Sequence, residues 1–290
     1  MTLTAAQTDA APPPPERPRV GCVSYLNAKP LIHGLDDSGD IELQLDVPSR
    51  LADRLTTGHV DLALCSTVDH FRGAGRLELV PVGGIACGGP TLTVRLFSRV
   101  PVEQITAVHA DTDSHTSVAL LRVLLHDLYG IQPELIHYDA RARRAAGRAL
   151  DLSRPPQSML LIGDKVVTDA PSATVYPYQL DLGGAWHDLT GQPFVFAVWM
   201  KRVGTDLGGL PRRLAALLDK NLDRLDTIVT TYAIDHGWPV DLADQYLGQI
   251  LRYRLGDAEL GAIEHFGKRL EELGILASSD STQSGSLTRG

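Results

Sequence analysis

From Arg19 onward, short apolar blocks take turns with stretches whose apolar positions recur at helical spacing. The pattern predicts a strand at Val20 to Ser24, a helix from about Ala28, a strand at Ile41 to Asp46, and a helix begun by Ser49 as its cap and ended near Gly58. A strand at Val60 to Cys65 runs straight into Ser66-Thr67. Two further strands, Leu77 to Val82 and Thr91 to Ser98, are read on either side of the glycine-rich stretch 83–90. A strand at Ile105 to His109 leads to Ser114, a good cap for a helix whose Leu121, Leu124, Leu125 and Leu128 share one face. Strands near Leu135 to Tyr138, Met159 to Gly163, Val175 to Leu180 and Phe194 to Met200 follow. After about Asp206 the pattern is helical throughout: Leu214, Leu217, Leu218, Leu222 and Leu225 line one face, and helices are expected near Leu242 to Leu251 and Asp257 to Leu273, with no strand.

Strands alternating with helices at this spacing argue for an α/β fold with parallel or mixed sheets covered by helices. A chain of 290 residues has room for two lobes. The expected arrangement is a first lobe of residues 19–100 plus 201–276 and a second lobe, 101–200, inserted into it. Residues 1–18, with four consecutive prolines from Pro12 to Pro15, and residues 277–290, rich in Ser, Thr and Gly, are expected to be disordered tails.

Composition narrows the function classes. The formal charge of -8 leaves no basic excess for neutralising phosphates, which disfavours nucleic acid as a partner. The longest apolar run, Phe194 to Met200, is far short of the roughly 20 residues a membrane helix needs. Cys22, Cys65 and Cys87 form no C-x-x-C pair and are read as free thiols. The N-terminus lacks the basic and apolar regions of an export signal, so a cytoplasmic location is expected. Only five basic residues are lysines, which makes arginine the main cation available to an anionic ligand.

No H-E-x-x-H pair, G-x-S-x-G elbow, Walker loop or dinucleotide fingerprint is present, so no metal or nucleotide site is expected. What recurs is a strand that ends in small polar residues at a helix start. Ser24-Tyr25-Leu26-Asn27 follows the first strand, Ser66-Thr67 the third, Ser114-His115-Thr116-Ser117 opens the long helix, and Gly163-Asp164 ends a strand. In open α/β sheets such ends, with their free backbone N–H groups, bind anions. Two lobes presenting them to one another would form a cleft for a small anionic molecule. Serine and threonine at these places also serve as ordinary helix caps, Asp164 as a cap or hinge, and His115 as a surface residue. Asn27 stands apart, because Pro30 fixes the entry to the next helix and holds its amide toward the strand end.

The blocks themselves resemble a family. Residues 20–31, with Gly21, Ser24-Tyr25-Leu26-Asn27 and Pro30-Leu31, are similar to the G-x-x-S-Y-L-N-x-x-P-L opening of the chorismate dehydratases that serve menaquinone biosynthesis by the futalosine route. Gly58 to Leu64 resembles that family's G-x-x-D-x-A segment, Gly89 to Val94 its G-P-V-x-S-V block, Ser114 to Ser117 its S-x-T-S start and Leu161 to Asp164 its L-I-G-D. Asp181 to Trp199 resembles its D-L-G-x-x-W-x-x-x-T-G-x-P-F-V-F-A-x-W segment, so the match spans about 19 to 275 in order. The resemblance implies a two-lobed fold like that of type 2 periplasmic binding proteins, with mixed sheets flanked by helices and a ligand cleft between the lobes.

It further implies a hydro-lyase that removes water from chorismate to give 3-[(1-carboxyvinyl)oxy]benzoate with no metal or organic cofactor. The family's active-site asparagine falls on Asn27 and its serine on Thr93, where a threonine keeps the hydroxyl but adds a methyl group. Ser24, Tyr25, Ser66, Thr67, Ser114, His115, Thr116, Ser117, Gly163 and Asp164 are the expected substrate-binding set. Two other readings share the fold: a solute-binding protein that closes on a small anion without chemistry, and dihydroxynaphthoate synthase of the same pathway. The latter's S-P-C-P-N-D-T opening has no counterpart at 20–30. The partner expected is a small dicarboxylate, with neither nucleic acid nor membrane involved. The sequence does not define the oligomeric state.

Overall fold

A computed structural model describes residues 17–111, 113–138 and 156–277. The two expected tails lie outside the described residues, apart from Arg17, Pro18 and Ala277 at their inner ends. Pro18 already belongs to the fold, because its carbonyl accepts the Glu42 N–H at 3.0 Å.

Eleven strands among the described residues form two mixed sheets. The first has the order β11-β4-β10-β3-β1-β2, built from β1 (Arg19–Val23), β2 (Glu42–Asp46), β3 (Leu62–Ser66), β4 (Leu77–Cys87), β10 (Phe194–Arg202) and β11 (Leu251–Arg252). The second has the order β7-β6-β8-β5-β9, built from β5 (Val94–Ser98), β6 (Ala107–Asp111), β7 (Glu134–Tyr138), β8 (Ser158–Ile162) and β9 (Tyr178–Asp181). In each sheet the parallel strands β1, β2 and β3, or β6, β7 and β8, are joined to antiparallel partners on the other side.

The chain changes sheets twice, and both crossings lie elsewhere than the sequence pattern puts them. β5, read with the first lobe, belongs to the second sheet; β10, read with the second, sits between β3 and β4 in the first. The crossings therefore fall at 88–93 and 182–193 rather than at 100 and 200. They run side by side, because Cys87 and Phe194 are register partners at the ends of β4 and β10. Asp181 ties them together: its carboxylate accepts the N–H groups of Thr91 and Leu92 at 2.8 Å each, and that of Gly184 at 3.0 Å as the cap of the helix Leu182–Thr190. Leu92 is held there with φ 67°, a left-handed conformation that a branched side chain adopts only when its surroundings impose it.

Three further expectations change. The glycine-rich stretch separates two strands only in its last part, since β4 continues into it as far as Cys87. Gly84 is there because the neighbouring strand comes too close for a side chain: a Cβ at that position would stand 2.6 Å from the Ala197 carbonyl oxygen. The helix Pro48–Thr56 starts one residue before Ser49, with Val47 as its cap and proline in its first turn, so Ser49 lies inside it. A two-residue strand, β11, does follow residue 200 and pairs with the end of β4.

The core divides in the same way. One cluster, including Leu26, Leu64, Trp199 and Tyr246, packs the first sheet against the helices after residue 206. Another, including Leu96, Leu121, Leu124, Trp186 and Phe266, packs the helix His115–Tyr129 against the second and joins it to the helix Asp257–Glu272, which lies against β10 of the first. Each such side chain stabilises the fold by about 1.5 to 3 kcal/mol through burial. Ser114 caps the helix His115–Tyr129 as predicted, its side chain accepting the Ser117 N–H. The predicted Leu128 is 40% exposed, whereas Leu120 and Val123 are fully buried; the helix is covered on two sides, and a single-face reading misses the second. Cys22, Cys65 and Cys87 are free and buried, and burial pushes the Cys22 and Cys87 thiols up to about 12.

Candidate active site

The strand ends meet in a cleft with about 510 Å³ of atom-free space, part of it open to solvent. From the expected set, Tyr25, Asn27, Ser66, Thr93, Ser114, Ser117 and Gly163 line it. β1 delivers Tyr25 and Asn27 through a 3-10 turn at Leu26–Ala28, and β3 ends at Ser66. β6 leads to Ser114 and Ser117, and β8 ends at Ile162 before Gly163. Thr93 precedes β5 and follows the left-handed Leu92, so the strained turn sets the direction of its side chain. Gly163 has φ 66°, and a Cβ there would lie 3.1 Å from the Tyr25 ring, so glycine lets the two lobes close against that aromatic.

The remaining expected residues stand outside the cleft lining. Ser24 is exposed and takes no part in the wall. Thr67 is fully buried, and its hydroxyl donates to the Val195 carbonyl at 2.8 Å. Thr116 is also fully buried; its Oγ1 accepts the Val68 N–H at 3.1 Å and so links the helix Thr67–Arg72 to the helix His115–Tyr129. His115 pairs through Nδ1 with Asp69 Oδ1 at 2.7 Å. Asp164 accepts the Leu26 N–H at 3.2 Å and the Trp238 indole N–H at 3.0 Å, and its Oδ2 lies 2.8 Å from His236 Nδ1. It is a strut joining the end of β8 to the turn that carries Asn27 and to the C-terminal helical region.

Among the described residues, the lining contains neither lysine nor arginine. Lys165 lies nearby, but Asp111 and Asp113 both hold its ammonium group. Asp113 also accepts the Tyr25 hydroxyl at 3.1 Å, which ties the turn after β1 to the second sheet. Lys29 stacks its ammonium 4.9 Å from the Tyr232 ring centroid, and burial pushes its pKa below the ordinary value. None of the arginines among the described residues lines the cleft. An anion there would be met by hydroxyls and backbone N–H groups at helix starts. No group of three or more His, Cys, Asp or Glu among the described residues could hold a metal ion.

Two features of the site were invisible to motif reading. Asn27 Oδ1 is buried and has no partner. Tyr246, at the start of a π-helical turn Tyr246–Ile250, lines the cleft and places its hydroxyl 2.6 Å from Thr93 Oγ1. Burial pushes the Tyr246 phenol well above its ordinary pKa. A tyrosine in a helical stretch far from every matched block carries no local signal of this role. The cleft is completed by apolar walls from Val23, Ile85, Val94, Ile162 and Phe196.

The menaquinone biosynthesis family (VitK2_biosynth) matches residues 18–272. The chain is 31% identical over 270 residues to the chorismate dehydratase of Thermus thermophilus, an alignment that covers 88% of this chain and 96% of that protein. Among solved structures, protein AF1704 of Archaeoglobus fulgidus superposes with a TM-score of 0.68 at 12% identity, over 90% of this chain and 98% of that one. The Candida albicans CA3427 product, described as exhibiting the generic periplasmic binding protein structural fold, superposes with a TM-score of 0.60 at 10% identity, over 91% and 92%. The two mixed sheets with flanking helices and a cleft between them are that fold.

Proposed function

Because the chain belongs to the menaquinone biosynthesis family, we propose that it is a chorismate dehydratase, a hydro-lyase that converts chorismate to 3-[(1-carboxyvinyl)oxy]benzoate. The observation that carries this reading is the meeting of Asn27 and Thr93 in one cleft whose wall includes Ser66, Ser114 and Ser117 at helix starts. These groups suit a rigid dianion whose carboxylates need donors and whose ring needs an apolar wall.

Chorismate carries an allylic hydroxyl next to a ring carbon that bears both a hydrogen and the enolpyruvyl ether. When that C–H bond breaks, its electron pair becomes a ring π bond, the C–O bond breaks, and the departing hydroxide takes up the proton removed from the ring carbon, by way of the base, and leaves as water. The product is aromatic, so the substrate supplies much of the driving force and the protein mainly positions it. No electron is gained or lost overall, and the reaction calls for no redox cofactor.

The base is the substrate's own enolpyruvyl carboxylate, held by an Asn27 Nδ2 proton above the ring hydrogen. Two protein carboxylates near the site, Asp69 and Asp164, are absent from the cleft lining and engaged elsewhere, Asp69 with His115 and Asp164 with Leu26, Trp238 and His236. Thr93 donates a hydrogen bond to the departing hydroxyl, and the N–H groups at 66–67 and at 114–116 receive carboxylate charge. The second lobe is read as the segment between the two sheet crossings, so that the cleft opens and closes about 88–93 and 182–193. A biosynthetic role of this kind places the protein in the cytoplasm; no helix among the described residues is long and apolar enough to cross a membrane.

The test is to incubate the purified protein with chorismate, without added metal or nucleotide, and to follow products by liquid chromatography and mass spectrometry against a no-enzyme control. A product lighter by one water that keeps the enolpyruvyl group is expected. Unconsumed chorismate refutes the reading, and binding without turnover would assign the protein to solute capture. Asn27→Ala should lower kcat about 100-fold or more with KM changed only a few-fold.

A further inference from the structure

We propose that Tyr246 is a positioning residue for the dehydration, setting the direction in which Thr93 presents its hydroxyl proton to the substrate's departing hydroxyl. The inference rests on the functional reading above and extends it to a residue outside every matched block.

A phenol has one proton to give and can accept from others. Tyr246 is 1% exposed, so its hydroxyl must be satisfied by protein groups or by a ligand. Thr93 Oγ1 lies 2.6 Å from that hydroxyl, and in the arrangement we propose it accepts the phenol's proton. With that oxygen accepting, the Thr93 proton is left to point into the cleft. The direction of donation runs from Tyr246 to Thr93 and ends on the ligand.

Two complementary atoms result at the cleft surface. Thr93 offers a donor, and Asn27 Oδ1 offers a buried acceptor without a partner. An alcohol satisfies both at once, its oxygen accepting from Thr93 and its proton donating to Asn27. The allylic hydroxyl that leaves as water is such a group, and the Asn27 amide protons remain for the enolpyruvyl carboxylate. Without the Tyr246 hydroxyl, the Thr93 proton could turn toward the vacated space.

The phenol is itself held in place. Its ring stacks on Trp238 with centroids 4.8 Å apart and an interplanar angle of 17°. The Trp238 indole donates to Asp164, which also accepts the N–H of Leu26, the neighbour of Asn27. One carboxylate thus anchors both the turn that carries Asn27 and the indole on which Tyr246 stacks. The raised phenol pKa keeps the proton on Tyr246 at neutral pH, as a fixed donor requires.

The experiment is a double-mutant cycle with chorismate as substrate, reading kcat and KM separately together with Tm. Tyr246→Phe keeps the ring and the stack; it should lower kcat about 10- to 100-fold and leave KM within about 3-fold. On a Thr93→Val background, the same change should cost no more than about 3-fold, because the group it orients is gone. On a Thr93→Ser background, which keeps the hydroxyl, the full loss should return. An active wild type whose Tyr246→Phe variant has unchanged kcat overturns the proposal alone. Losses that multiply independently on the Val background, or a Phe variant that does not fold, also overturn it, the latter in favour of a purely structural role. A wild-type protein that leaves chorismate intact overturns the functional reading and this proposal with it.

Discussion

Replacing Asp164 by Ala separates a strut from a substrate ligand. In the structure its carboxylate receives the Leu26 N–H at 3.2 Å and the Trp238 indole N–H at 3.0 Å, and it contacts His236 Nδ1 at 2.8 Å. Truncation leaves all three groups without their partner. A buried donor that loses its acceptor costs about 1 to 3 kcal/mol; here the carboxylate side chain is 17% exposed and water can reach part of the gap, so about 1 kcal/mol each is the appropriate end of that range. The total is roughly 3 kcal/mol, which for a chain of this size lowers Tm by about 6 to 10 °C. Since Leu26 precedes Asn27 and Trp238 stacks on Tyr246, activity measured well below Tm should fall mainly in kcat. Asp164→Asn keeps one acceptor oxygen and should lose about half as much stability. Differential scanning calorimetry and steady-state kinetics on the two variants give the readout. An Asp164→Ala variant with Tm within about 1 or 2 °C of the parent and a strongly raised KM would refute the strut and make Asp164 a direct ligand of substrate.

Tyr253 is a fully buried phenol without a hydrogen-bond partner, and burial raises its pKa well above the usual range, so Tyr253→Phe should raise Tm by about 2 to 3 °C; a lower Tm would contradict the orphaned hydroxyl. The three buried cysteines should resist iodoacetamide at pH 8 in the native protein and all react once it is denatured, with mass spectrometry counting the adducts. Asp127 is held below the usual carboxylate range by its hydrogen bond from Arg269, which joins the helix His115–Tyr129 to the helix Asp257–Glu272. A depressed carboxylate contributes stability that is complete above about pH 4 and lost as pH falls toward its folded value. The difference in urea midpoint between the parent and Asp127→Asn should therefore shrink from pH 6 to pH 3, and a constant difference would refute the pairing.

Much of the architecture was legible before any coordinates. Strand and helix periods follow local burial, so the alternation from Val20 to Cys65 and the Ser114 cap are read from spacing and cap chemistry alone. The cleft residues Tyr25, Asn27, Ser66 and Thr93 stand in short blocks whose order is visible along the chain. Those properties reside within a few residues of each other, and a linear pattern can carry them.

Partner choice cannot be carried that way. Whether Thr67, Thr116 and Asp164 face a ligand or a distant backbone group depends on Val195, Val68 and Trp238, which lie 128, 48 and 74 positions away. The same holds for β5 and β10: each has an ordinary strand pattern, and sheet membership is set by which edge offers free hydrogen-bonding groups once the chain has crossed over. Tyr246 is the sharpest case, a helical tyrosine brought 153 positions back to the hydroxyl of Thr93. Periodicity reports that a side chain is buried, while the atoms that satisfy its polar end are chosen by long-range packing, because a buried polar group must pair with whatever the fold puts beside it.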